Sequence, residues 1–206
     1  MKEIYKKYKN ELKNKNNLTV LVLIVFIIGL IFGSIYITIL SQNQKGESLS
    51  QIANYYKNLP KLNFEDKIDI FKNSLYSNLL YMTIIWALGI SIIGVPIIFI
   101  MIFFKSFLTG FSISNIFAKY GISGIIKVLL YLLPSNIIII TYIIFLSTYS
   151  IFISSKIFKS AFKKQTINFK SFMGKYLFVL IIGILISILC SLYEAFINPF
   201  FYKVIY

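Results

Sequence analysis

The chain has 206 residues, of which 58% are hydrophobic, and its mean hydropathy is +0.79, which is typical of an integral membrane protein. Its formal charge of +14 comes from 21 lysines and 7 acids, with no histidine and no arginine. Because the lysines lie beside apolar runs, we expect anionic lipid headgroups as their partner and no nucleic acid. The single cysteine, Cys190, excludes an intrachain disulfide and a thiolate metal cage. We therefore expect no metal and no cofactor.

The first apolar run, residues 18–40, follows a basic tail, residues 1–17, that holds six lysines and two glutamates. The run is longer than the 7 to 15 residues of a signal-peptide core and has no small-x-small cleavage site after it. It predicts an uncleaved first membrane helix with its N-terminus in the cytoplasm. Gly29 and Gly33 have the spacing that lets another helix approach the backbone, although glycine is also common in membrane helices without such a role.

Residues 41–77 form the one long polar stretch, and they are nearly neutral because five lysines face four acids. We expect this loop to be extracytoplasmic. Apolar residues at three- and four-residue steps on either side of Pro60 predict two short amphipathic helices, the second capped by Asn63. Such helices either rest on the bilayer or dock a partner. The candidate docking positions are Glu65, Asp66, Asp69 and Lys72.

Residues 78–104 contain no acid and no lysine and predict a second membrane helix. Pro96 predicts a kink within it, because proline lacks an N–H and its ring disrupts the helix one turn earlier. The freed carbonyl must find a partner inside the bilayer, which implies close helix neighbours. Trp86, Gly89, Gly94 and Pro96 are therefore candidate packing residues.

The positive-inside bias decides the rest of the topology. A second basic segment, residues 156–175, carries six lysines and no acid, so an even number of crossings must separate it from the basic tail. The weakly apolar residues 106–123 must then cross, which places Lys105 at the inner membrane edge. The predicted order after the second helix is a short third helix at 106–123, a fourth at 128–155, the cytoplasmic loop at 156–175, a fifth helix at 177–197 and an extracytoplasmic end at 198–206. The fold class is all-α, a single polytopic membrane domain with about five membrane helices.

Polar and small residues inside the later helices are candidate packing positions. Glu194 is the only acid in the second half of the chain, and it either lies at the membrane interface or pairs with Lys127. The proline and amide of LLPSN favour packing over a substrate contact. The candidate positions of this group are Gly110, Pro134, Asn136, Gly183, Ser187 and Glu194.

Groups that carry catalysis are scarce in this chain. The lack of histidine excludes Ser-His and Cys-His nucleophile pairs, and no phosphate-binding GxxxxGK[ST] occurs. The spans hold no pair of carboxylates. A serine–lysine pair is the one enzymatic arrangement that composition leaves open, and no spacing singles one out. The sequence predicts a protein that is not an enzyme.

The order of several motifs resembles the stage II sporulation protein M family. These motifs are the glycine-containing first span IGLIFGS, the run WALGISIIGVP, FFKSFLTGFSIS and LLPSN. The resemblance covers nearly the whole chain and implies a role in endospore formation. It further implies a multi-pass protein of the mother-cell membrane that assembles with extracytoplasmic peptidoglycan hydrolases during engulfment and has no catalytic residues. A transporter or permease subunit is the alternative, with the interrupted spans lining a pathway.

Overall fold

The computed structural model describes residues 2–91, 93–163 and 169–200. In this part of the chain there are seven α-helices and no strand, which confirms the all-α prediction. The helices are α1 (Lys2–Ile39), α2 (Gln42–Asn58), α3 (Phe64–Ile90), α4 (Gly94–Tyr120), α5 (Ser123–Lys127), α6 (Leu133–Lys163) and α7 (Phe169–Leu192). A short 3-10 turn, Leu59–Lys61, and two π-helical segments, Val128–Leu132 and Tyr193–Ile197, complete the order. The predicted end at 198–206 lies largely outside the described residues.

Four stretches of the described helices are long and apolar enough to cross a membrane. They are Lys15–Ile39, Gly94–Tyr120, Leu133–Ser160 and Met173–Phe200. Helix α3 is as long as α4, but its first turns carry Glu65, Asp66 and Asp69, so it is less apolar. The membrane character of the fold is therefore confirmed, while a count of five crossings and a cytoplasmic N-terminus stay predictions.

The continuous helix predicted at 78–104 is wrong, because α3 ends at Ile90 and α4 begins at Gly94. The chain reverses between them: the Gly94 N–H donates to the Ser91 carbonyl at 3.3 Å, and Tyr81 of α3 reaches back to the Met101 carbonyl of α4. Pro96 lies in the first turn of α4 and makes no kink, since N–H groups of a first turn have no partner within the helix. The run contains two half-helices and a turn, which hydropathy alone does not distinguish from one helix.

The boundaries predicted on either side of this run also change. Residues 106–123 are not a separate helix but the second half of α4. The second amphipathic helix of the 41–77 loop is likewise not separate, because it forms the first turns of α3, whereas the first one corresponds to α2. The Asn63 N-cap is correct: the Asn63 N–H donates to an Asp66 carboxylate oxygen at 2.9 Å.

Contacts between side chains give the directions of the helices. Helices α1 and α4 are parallel, since Gly29 lies against Phe103 and Tyr36 against Phe111. Helix α7 is antiparallel to α3, with Tyr176 beside Trp86 and Glu194 beside Ser74. Helix α6 is parallel to α3, because Gly89 faces Ser150 and Ser91 faces Ser154. We call the end that carries α2 the α2 end, and the opposite one the Ser91 end.

The chain is helical without a break from α5 through the π-helical segment Val128–Leu132 into α6. Pro134 has no N–H to donate to the Leu130 carbonyl. The Tyr193 hydroxyl donates to that carbonyl at 3.2 Å instead. The structure thereby supplies an interhelical partner for a backbone group that a proline leaves unsatisfied.

Candidate functional site

Glycines bring the backbones of α1 and α4 into close contact. A Cβ added to Gly29 would come within 2.6 Å of the Phe103 carbonyl oxygen, and one added to Gly33 within 2.7 Å of the Phe107 carbonyl carbon. Gly110 faces the Leu30 backbone in the same way, at 3.1 Å. Side chains of any other residue type would separate the two backbones.

At the Ser91 end, Trp86 and Tyr176 connect α3 to α7. A Cβ at Gly89 would lie 2.7 Å from the Ser150 Cβ and against the Tyr176 hydroxyl, so only glycine leaves room for that hydroxyl. The Tyr176 hydroxyl is also within 2.8 Å of the Ser150 hydroxyl. Gly94 begins α4 against the Leu88 backbone, and Pro96 beside it is exposed. Trp86, Gly89, Ser150 and Tyr176 thus form the Trp86–Tyr176 cluster. Pro96 is not part of it and lies in the first turn of α4.

Halfway along the bundle, Gly183 of α7 lies against the Tyr142 ring, to which an added Cβ would approach within 2.6 Å. The Tyr142 hydroxyl donates to the Val179 carbonyl one turn earlier. Ser187 is fully buried and donates to the Met82 sulfur at 3.3 Å. Both predicted residues therefore lie in the interior, where α7 packs against α6 and α3.

Glu194 lies in a polar network between α7 and α3. The Ser74 hydroxyl donates to a Glu194 carboxylate oxygen at 2.5 Å and accepts from Ser191 at 3.1 Å and from Asn78 at 3.4 Å. Asn78 and Ser191 are buried. The network satisfies the carboxylate where the π-helical segment Tyr193–Ile197 begins.

Lys127 has different contacts from those of Glu194. It is 4% exposed, and its ammonium lies 4.7 Å from the Tyr120 ring centroid and 5.0 Å from that of Tyr56. Two aromatic faces at such distances stabilise a desolvated ammonium. This cation–π site attaches α2 to the end of α4 and to α5, the short helix that follows it.

A polar cleft between α4 and α6 holds Lys105, which the sequence placed at the inner membrane edge. That placement is wrong, because the turn between Ile90 and Gly94, and not Lys105, separates the two helices. The cleft has a volume of about 170 Å³. It is lined by Lys105, Leu108, Thr109, Ser112, Leu132 and Asn136. The predicted residue Asn136 is thus beside a lysine, and its amide donates to the Leu132 carbonyl at 2.8 Å.

The four predicted docking positions are exposed at the beginning of α3. Glu65 and Asp69 contact no other described side chain by hydrogen bond or ion pair, and Lys72 is exposed one turn later. Asp66 differs from them because its carboxylate caps the helix. The beginning of α3 therefore presents exposed charges at the α2 end, the acids Glu65 and Asp69 together with Lys72.

Sequence reasoning missed Tyr176, Tyr142, Ser74 and the cleft around Lys105. Tyrosines, serines and lysines are common in this chain, so their identity carried no signal. Only Lys105 could have been found, as a lone charge between two apolar runs, had the helix boundaries been known. In the described ranges, no group of three or more histidine, cysteine, aspartate or glutamate side chains could hold a metal ion.

Comparison with known proteins identifies a family. The family model described as stage II sporulation protein M matches residues 22–199. No curated protein and no solved structure matches the chain. The matched range begins within α1 and ends just past the last π-helical segment, so it includes the glycine contact, the Trp86–Tyr176 cluster and the Lys105 cleft.

Proposed function

Because this chain belongs to the stage II sporulation protein M family, we propose that it is a non-enzymatic membrane scaffold of endospore formation. In this role it anchors peptidoglycan-degrading enzymes at the septal or engulfing membrane of the mother cell. The family places the chain among sporulation-related membrane proteins, and the scaffold role is the further step. The lack of histidine and of a carboxylate pair in the spans supports a role without catalysis.

The exposed acids Glu65 and Asp69 at the beginning of α3 are the observation that carries the proposal. Glu65 and Asp69 are exposed, and both belong to a helix that continues into the bundle. A partner that binds there is held by a rigid element and not by a loose loop. With the N-terminus in the cytoplasm, α1 brings the chain to the outer side, so the α2 end faces the compartment of the hydrolases.

Charge reversal of Glu65 and Asp69 tests the scaffold role. In sporulating cells we expect the E65K/D69K variant to accumulate normally, because both side chains are exposed, but to recover fewer extracytoplasmic hydrolases on co-purification. The recovery from wild type should itself fall as salt is raised, because the Debye length shrinks from about 8 Å at physiological ionic strength to about 3 Å at 1 M. Asp66 is kept, since its loss would remove the helix cap.

The matched control is E47K, which reverses the charge of an exposed acid of α2, also at the α2 end. It should leave hydrolase recovery unchanged. Absence of hydrolases from the wild-type purification would contradict the scaffold role. Normal recovery with E65K/D69K would show that the docking surface is elsewhere.

A further inference from the structure

Lys105 is a charged residue in the middle of a membrane-length helix. It is eleven residues after Gly94 and fifteen before Tyr120, which at 1.5 Å per residue is about 16 Å and about 22 Å from the two ends of α4. The four-carbon stem of a lysine does not extend that far, so the ammonium cannot reach either aqueous interface. A charge at such depth is costly, and a counter-charge offsets that cost.

The described residues leave the ammonium without a contacting anion. Its nearest interaction is with the Tyr81 ring, whose centroid lies 5.6 Å from the Lys105 Nζ. No carboxylate in ranges 15–91, 93–160 and 173–200 forms an ion pair with it. The Glu194 carboxylate attracts it from a distance, but the direct contact of that carboxylate is with Ser74.

The cleft beside Lys105 offers several hydrogen-bond donors. The Ser112 hydroxyl forms no hydrogen bond with a described residue, and the Asn136 amide nitrogen uses only one of its two hydrogens, on the Leu132 carbonyl. Together with the ammonium they form a set of donors without a matching acceptor. A carboxylate accepts only, through two oxygens, so it matches this set.

Position and size restrict what can supply that carboxylate. The cleft opens toward the outer surface of the bundle beside Leu108, which is 58% exposed. Its volume of about 170 Å³ admits one acidic side chain, whereas a helix about 10 to 12 Å across must lie over the opening. A lipid phosphate lies at the membrane interface, about half of a 30 Å hydrocarbon layer away from this depth.

We propose that the Lys105 cleft binds an aspartate or glutamate side chain from a membrane-spanning helix of a partner protein. The proposal rests on the scaffold function, for which it gives a second contact with the partner, inside the membrane. The charge pair determines which helix binds, because a helix without the acid would leave the lysine and its neighbouring donors unpaired.

The test uses full-length protein in phosphatidylcholine vesicles and a labelled synthetic helix of about 20 leucine and alanine residues. One version of the helix has a central glutamate and the other a central glutamine. Energy transfer from protein to helix measures association. Because polar contacts between membrane helices contribute about 1 to 2 kcal/mol, wild type should bind the glutamate helix about tenfold more tightly than the glutamine helix.

Two variants and one control locate the effect. K105M should bind both helices equally, and K105E should instead prefer a helix with a central lysine. K119M removes an exposed lysine from the last turn of the same helix and should retain the wild-type preference. Retention of the glutamate preference by K105M would overturn the proposal.

Two other results would also overturn the proposal. One is equal binding of the glutamate and glutamine helices by wild type. The other is loss of the preference when phosphatidylglycerol is added, which would identify a lipid phosphate as the occupant. The vesicles contain no hydrolase, so failure here is distinguishable from a failure of the scaffold role, which appears in the co-purification.

Discussion

Trp86 and Tyr176 are joined by two reciprocal hydrogen bonds and a stacked ring contact. The Trp86 indole N–H donates to the Tyr176 carbonyl at 3.1 Å, the Tyr176 hydroxyl donates to the Trp86 carbonyl at 2.7 Å, and the ring centroids are 5.1 Å apart. Each residue thus satisfies a polar group of the other inside an apolar bundle. The pair is the main polar connection between α3 and α7 at the Ser91 end.

The first prediction removes the Tyr176 hydroxyl. Y176F keeps the ring but leaves the Trp86 carbonyl and the Ser150 hydroxyl without this partner. Because a buried polar group without its partner costs about 1 to 3 kcal/mol, we expect the midpoint of thermal unfolding in detergent to fall by several degrees. Y36F is the control, since Tyr36 is exposed and makes only ring contacts. An unchanged midpoint in Y176F would show that these hydrogen bonds contribute no net stability.

The second prediction concerns the contact between α1 and α4. G29L and G33L should each lower the amount of folded protein, because either side chain must push the α4 backbone away. We expect the free energy of unfolding to fall by about 1 to 3 kcal/mol. The loss should appear as lower accumulation and as lower resistance to heating in detergent. G174L is the matched control within α7, since an added Cβ there meets no atom within 4 Å. Wild-type levels in G29L and G33L would mean that the two helices are free to separate.

The third prediction addresses the topology of the chain. In a C190S background, single cysteines in place of Lys45, Lys57 and Lys119 should react with an impermeant thiol reagent in intact cells. Cysteines in place of Lys9 and Lys163 should not. The buried Lys127 position is unsuitable for labelling. Reaction at position 163 from outside would contradict the even number of crossings between the two basic segments.

The fourth prediction distinguishes the turn between α3 and α4 from a continuous helix. Ile93 is 77% exposed, and it lies at the Ser91 end. In the C190S background, a cysteine at position 93 should react with an impermeant thiol reagent only after the cells are permeabilised. A continuous helix over 78–104 would instead bury position 93 in the hydrocarbon and prevent the reaction in intact and in permeabilised cells. Lack of reaction in permeabilised cells would therefore favour the continuous helix.

The fifth prediction concerns the attachment of α2. K127M removes the ammonium from between the Tyr56 and Tyr120 rings, and cation–π contacts of desolvated ammonium groups contribute up to about 2 kcal/mol. Amide hydrogen exchange across Gln42–Asn58 should then accelerate, while exchange in α6 stays slow. K119M serves as control because it removes an exposed lysine nearby. If amide exchange in α2 is equally fast in K127M and K119M, the ammonium does not hold α2 in place. Its attachment would then depend on apolar contacts, such as those of the buried Leu59 that follows it.

Composition and charge pattern by themselves determined the fold class. The family followed from a resemblance in the order of motifs such as WALGISIIGVP and LLPSN. Apolar runs of about 20 residues require helices in a bilayer, because each backbone polar group must be satisfied within its own segment. Short-range signals were also reliable, since the Asn63 cap and the Gly29–Gly33 spacing depend on residues within one or two turns.

Only the tertiary structure decided where the helices end and which polar residues meet. A turn between two apolar half-runs has no hydropathy signal, so the reversal after Ile90 and the mid-helix position of Lys105 became visible only through the pairing of α3 with α4. The same applies to Trp86 with Tyr176 and to Ser74 with Glu194, which are 90 and 120 residues apart in the chain. Helix packing brings such residues together, and packing depends on the shapes of several helices at once, which no local pattern encodes.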